Sequence, residues 1–179
     1  MTDARLIIHK YCQDNAELEK VLLKHSTDVA NRAIRIIRNH PELNANEEFV
    51  YEAAMLHDIG ICRVDAPSIH CHGSEPYIRH GLMGAEILRA EGLPLHARVA
   101  ERHTGTGLTA DEIIRQQLPL PAQDLLPESI EEQIICYSDK FYSKSHLDAE
   151  KTTEQALRSL AKFGEAGVEV FKAWMRRFE

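Results

Sequence analysis

Apolar residues recur along most of the chain three or four positions apart, and no convincing alternation of apolar and polar residues marks a strand. The spacing predicts a short helix over about 3–12 and a long one over about 16–39, with Leu18, Leu22, His25 and Val29 on one face. The segment His40-Pro41-Glu42-Leu43-Asn44 breaks the pattern, and a third helix is expected from about Asn46 to His57. Gly60 to Pro76 is the longest stretch without periodicity and reads as a loop. Helices over about 80–90 and 95–103 follow, stopped by Gly92 and Gly105. Thr109 with Glu112, and Ser129 with Glu132, have the spacing of a capping box, in which a hydroxyl and a carboxylate satisfy the free N–H groups of a first turn. Residues 148–178 read as two helices parted near Gly164. The expected class is therefore all-α: residues 1–179 form one helical bundle, with a core over about 16–145 and terminal helices over about 148–178.

Certain polar residues fall on the faces that should be buried. His57 ends the row Val50, Ala53, Ala54; His80 begins the row Met83, Gly84, Ile87; His103 ends the row His96, Val99, Ala100. Asp139 follows Ile135 and precedes Tyr142 on the same pattern. One buried histidine is usually a satisfied core residue, but four of them with Asp58 and Asp139, spread over separate helices, strain that explanation. An unpaired buried carboxylate costs several kcal/mol. Bound divalent cations would reconcile such a set, because they accept the lone pairs of imidazoles and carboxylates together. Neighbouring residues at a helix end project about 100° apart, so His57 can face one cation while Asp58 reaches towards a second and bridges the two.

Length and charge narrow the classes. The 179 residues suit one core. A formal charge of -7 argues against duplex nucleic acid as a partner, since no broad basic surface is available for phosphates. No apolar run approaches the ~18 residues of a membrane span. The N-terminus lacks the pattern of an export signal, and Cys12, Cys62, Cys71 and Cys136 form no CxxC pair, so reduced thiols and a cytoplasmic location are expected.

The residues in the order His25, His57-Asp58 and Asp139 resemble the H…HD…D signature of the HD-domain superfamily. Leu56-His57-Asp58-Ile59-Gly60 is similar to the HDIG form, and His80 and His103 match the further ligands of its two-metal branch. The resemblance runs from about His25 to Lys140 and implies a helical HD domain. One metal would take His25, His57, Asp58 and Asp139; the second would share Asp58 and take His80 and His103. It implies two divalent cations such as iron or manganese, and hydrolysis of a small phosphorylated substrate, a nucleotide or related ester or anhydride, by a metal-activated water. A related branch with the same order cleaves diadenosine tetraphosphate. A diiron oxygenase resembling myo-inositol oxygenase is the alternative on the same ligands. Asp58, Arg63 and Lys140 are the expected catalytic residues, with Asp58 bridging the cations and the other two gripping phosphate oxygens. Arg79 and Arg102 read as solvated helix residues, His70-Cys71-His72 as polar loop, His96 as core or support, and His9, His40 and His146 as surface.

Overall fold

The computed structural model describes residues 3–179. Nine α-helices are present among them: α1 (Ala4–Cys12), α2 (Ala16–Asn39), α3 (Glu47–Leu56), α4 (His80–Ala90), α5 (Pro94–Arg102), α6 (Ala110–Arg115), α7 (Ile130–Asp139), α8 (Thr153–Ala161) and α9 (Glu165–Phe178). The all-α expectation holds, and the boundaries of α1 to α5 follow the periodicity to within a residue or two. Their starts have local chemical causes. Asp3, Asn15 and Asn46 each cap a first turn by accepting backbone N–H groups with the side chain.

The expected box at Thr109 and Glu112 forms in full. At Ser129 only half forms: the hydroxyl accepts the Glu132 N–H, but the Glu132 carboxylate takes the Glu128 N–H at 2.6 Å and Arg98 at 3.0 Å instead. The terminal helices also begin later than expected. Residues 148–152 are not helical, and Thr152 with Gln155 builds the capping box that starts α8.

The non-periodic stretch contains what periodicity did not show. Three short strands, β1 (Val64–Ala66), β2 (Cys71–His72) and β3 (Glu75–Pro76), form a sheet in the order β2-β1-β3. β1 is antiparallel to β2, with Ala66 opposite Cys71, and parallel to β3, with Val64 opposite Glu75. Strands of two or three residues are too short to show a period of two.

The core runs between α2, α3, α5 and α7, and α4 packs along α5. Fully buried Leu22, Val29, Val50, Leu56, Ile59 and Leu88 belong to it. A 3-10 turn, Ile59–Arg63, leads from α3 onto α4 with no side chain between the backbones at Gly60. A Cβ there would lie 2.0 Å from the His80 carbonyl oxygen and 2.2 Å from the Gly84 nitrogen, so only glycine allows this approach. Gly81 is placed in the same way, 2.6 Å in the Cβ sense from the Ala100 carbonyl oxygen. These contacts bring the end of α3, the start of α4 and the end of α5 to one point.

Candidate metal centre

That point is where the candidate ligands meet. His57 follows the last residue of α3 and Asp58 comes next; His80 opens α4; His103 follows α5; Asp139 ends α7; His25 projects from the middle of α2. All six are buried. Their ligand atoms fall into two sets, His25, His57, Asp58 and Asp139, and Asp58, His80 and His103, each with atoms within 4.8 Å of one another.

Asp58 divides its oxygens between the sets. Oδ2 lies 3.0 Å from His25 Nε2 and 3.1 Å from His57 Nε2, whereas Oδ1 lies 3.3 Å from His103 Nε2 and 3.5 Å from His80 Nε2. Asp139 Oδ1 closes the first set at 3.1 Å from His25 Nε2 and 3.5 Å from His57 Nε2.

Three of the histidines are oriented by one device. The Nδ1–H groups of His57, His80 and His103 each donate to a carbonyl three residues earlier, Ala54 at 2.6 Å, Tyr77 at 2.8 Å and Ala100 at 2.7 Å. A carbonyl can only accept, so Nδ1 carries the proton and Nε2 is turned to the centre as the ligating atom. Helix ends leave carbonyls free for this purpose at His57 and His103.

Several observations fit cations at this place. Oδ1 and Oδ2 of Asp58, Nε2 of His57 and both ring nitrogens of His25 are buried without a well-directed hydrogen bond, though the pair distances are short. His80 and His103 bring their Nε2 atoms within 3.0 Å of each other. Burial, aided for His80 by His103, lowers the pKa of His80 to about 3; burial also lowers that of His103, so both rings are neutral near pH 7. Two lone pairs then face each other, an arrangement that a shared cation or its bound water would relieve. Thus the donor set, imidazole nitrogens and carboxylate oxygens, could hold divalent metal ions.

The carboxylates stay ionised. Burial opposes this at both, but Lys144 and His57 at Asp58, and Lys140 and His25 at Asp139, hold their pKa values well below the ordinary one. Lys140 Nζ lies 2.7 Å from Asp139 Oδ2 and donates to the His103 carbonyl at 3.2 Å. Lys144 was not singled out by sequence. Its side chain is 12% exposed and Nζ lies 2.6 Å from Asp58 Oδ2. Burial opposes its charge, yet Asp58, Tyr77 and Asp139 raise its pKa. The spacing of Lys140 and Lys144, one and five residues after Asp139, was the available signal.

Arg63 is not brought to this cluster. Its side chain is 43% exposed and Nη1 pairs with Glu86 at 3.2 Å. Arg79 and Arg102 pair with Glu75 and Glu128. His96 is buried near Glu52, with Nε2 3.4 Å from its carboxylate, and meets Phe49 edge-on. His70 and His72 are exposed while Cys71 between them is buried. His9 and His146 are exposed; His40 is half-buried and pairs with Glu42.

The sequence pattern of the HD domain family matches residues 22–143, which carry all six candidate ligands. The chain belongs to the HD domain family. Two curated relatives are named tRNA (cytidine(56)-2'-O)-methyltransferase. The protein of Picrophilus torridus is 32% identical over 72% of this chain and 33% of its own length. That of Thermoplasma volcanium is 32% identical over 68% and 32%. An uncharacterized protein of Methanocaldococcus jannaschii is 43% identical over 51% of this chain and 47% of its own length. The chain thus spans about a third to a half of the relatives it matches. Among solved structures, the HD domain of the L. monocytogenes phosphodiesterase PgpH superposes with a TM-score of 0.54, 19% identity and 93% coverage of both chains. The same domain in complex with cyclic-di-AMP gives 0.54 and 18%, over 93% of this chain and 92% of the other. At these identities the likeness shows a shared HD fold.

No described helix is long and apolar enough to cross a membrane.

Proposed function

We propose that this HD domain protein is a metal-dependent phosphohydrolase acting on a small phosphorylated substrate, a nucleotide or a related ester or anhydride. The observation that carries the reading is the division of Asp58 between two ligand sets, Oδ2 towards His25 and His57 and Oδ1 towards His80 and His103. Two divalent cations, when bound, supply Lewis acidity to phosphoryl oxygens and make a water acidic enough to attack at neutral pH.

The residues of the chain prepare the rest. Fixed tautomers let His80 and His103 ligate without losing a proton first. Asp139 Oδ1 faces the first set while Lys140 holds Oδ2, which fixes the carboxylate plane. In this reading Lys144, beside Asp58, takes the phosphate-gripping role that sequence assigned to Arg63, and its ammonium shifts from Asp58 Oδ2 to a non-bridging phosphate oxygen. Lys140 supports from the other side. Charge developing on the phosphoryl oxygens thus meets donors already in place.

The named activity of the methyltransferase relatives is not carried over, because the match covers a third of those proteins and the site here is a set of metal ligands. The cyclic-di-AMP complex of PgpH is compatible with a small phosphorylated ligand in this fold. Within that class, the ligand order H…HD…H…H…D favours including dinucleoside polyphosphates among the substrates to be tried.

The test is hydrolysis, read as liberated orthophosphate or as nucleotide products, by protein stripped of metal and reloaded with manganese, under nitrogen, of nucleotides, dinucleoside polyphosphates and sugar phosphates. Hydrolysis is expected without oxygen. Turnover that needs iron and oxygen and cleaves no phosphate ester or anhydride bond would replace this reading with the oxygenase.

A further inference from the structure

A cavity of about 430 Å³ opens beside the metal cluster, and Asp139, Lys140 and Lys144 are part of its wall. Much of its remaining wall comes from two regions that carry none of the candidate ligands. The end of β1 and the β1–β2 connection contribute Ala66, Ser68 and Ile69, and the segment leading into, along and just past α8 contributes Lys151, Leu160 and Phe163. The second of these lies beyond residue 143, where the family match ends. The volume is in the lower part of the range that holds small-molecule ligands.

Three ammonium groups line this cavity, and they differ in one respect. Lys140 has Asp139 at 2.7 Å and Lys144 has Asp58 at 2.6 Å. Among the described residues, Lys151 has no carboxylate within 4.0 Å of its ammonium; its hydrogen bond goes to the Lys140 carbonyl at 3.5 Å. It is half-buried, and burial together with Lys140, Lys144 and Lys162 disfavours its charge, with Asp139 acting the other way. An ammonium without a counter-ion in a partly closed cavity is costly, and an anion beside it would remove the cost. The cations themselves would also offset the carboxylates that Lys140 and Lys144 now neutralise, leaving the cavity with a strong positive excess in a chain whose formal charge is -7. A lone phosphomonoester at the metals would satisfy Lys140 or Lys144 but leave Lys151 unmatched.

We infer that Lys151 and the α8 wall form a subsite for a second phosphate, so that the preferred ligand carries two or more adjacent phosphates joined through an anhydride. This rests on the phosphohydrolase reading for the position of the first phosphate and goes beyond it by naming the substrate class. The first phosphate sits at the metal cluster between Lys140 and Lys144, and the next lies along the cavity against Lys151. The remainder of the ligand meets the apolar surface of Leu160 and Phe163 at the end of α8.

Calorimetric titration of the manganese-loaded protein tests this, with the manganese complexes of orthophosphate and pyrophosphate as probes. Pyrophosphate is expected to bind about tenfold more tightly, the difference that one charge-assisted contact supplies. Lys151→Met should abolish that preference and leave orthophosphate affinity unchanged, while Lys151→Arg should retain it. Thermal melting of each variant checks that the fold is intact, which the absence of a carboxylate partner leads us to expect. Equal affinity for the two anions in the unaltered protein, or a preference unaffected by Lys151→Met, overturns the subsite. Hydrolysis in the substrate screen combined with such a result would remove the subsite and leave the phosphohydrolase standing. A Lys151-dependent preference without hydrolysis of any compound would support the subsite and remove the hydrolase.

Discussion

The two halves of the candidate metal centre hold similar side chains in opposite electrostatic states. In the half formed by His25, His57 and Asp139, two carboxylates surround the imidazoles. Burial disfavours a charged His57, but Asp58 and Asp139 outweigh it and raise its pKa to about 9. In the half formed by His80 and His103, only Asp58 Oδ1 is within reach, and burial dominates, lowering His80 to about 3. Without metal, the first half therefore satisfies itself with a proton and with Lys144, whereas the second holds two neutral rings whose lone pairs meet. A cation entering the first half must displace a proton and an ammonium; one entering the second displaces neither. Burial is nearly equal in both, so the number of nearby carboxylates makes the difference.

Asp58 belongs to both halves, and its removal should have the largest effect. If the proposed function holds, Asp58→Asn is expected to lower metal content and reduce turnover by on the order of 10³-fold or more, beyond the loss typical for one stabilising group. Metal analysis beside kinetics checks it, and near-normal turnover with intact metal would refute the bridging role. Next, His25→Ala and His80→Ala should each cost about 10²-fold but differ in what remains bound, because each removes a ligand from one half only. Equal metal binding curves for the two variants would erase the distinction.

Gly60→Ala tests what brings the halves together. The added Cβ collides with backbone at His80 and Gly84, so a loss of about 1–3 kcal/mol is expected in denaturant unfolding of the metal-free protein, with weakened metal retention.

The smallest effect concerns pH. A raised pKa at His57 gives stability that is fully present below pH 6.5 and lost as pH rises through about 9. A lowered one at His80 works the other way, destabilising the fold as pH falls from 6.5 towards 3, and the depressed Asp58 and Asp139 add to the acid loss. Melting temperatures of metal-free protein should accordingly fall on both sides of neutrality. Metal loading should flatten the alkaline side, because a ligated His57 no longer carries the proton. An alkaline slope unchanged by metal would show that the first half does not bind it through His57.

Helices α1 to α5 and the burial of His25, His57, His80, His103 and Asp139 were legible because a helix repeats its environment every three or four residues. A polar residue in an apolar row therefore announces itself wherever the helix packs. The order of these residues also brought the HD family into view. The three-stranded sheet was not legible, since its pairs join residues of a segment with no period and its strands are two or three residues long. Beyond the position of Lys144 five residues after Asp139, nothing local distinguishes it from Arg63 as the cation that meets Asp58. One lies in the turn after α3 and pairs outward with Glu86, the other follows α7 and turns inward. The same holds for α8, whose amphipathic pattern gives a helix but not the cavity it walls. The sequence by itself determined which side chains are withdrawn from water, because that is written in spacing along a single helix. Only the tertiary structure decided which carboxylate oxygen serves which histidines, which lysine stands beside it and which lacks a partner. Apart from that of His57 with its neighbour Asp58, those contacts join residues tens of positions apart, and their distances depend on how whole helices pack.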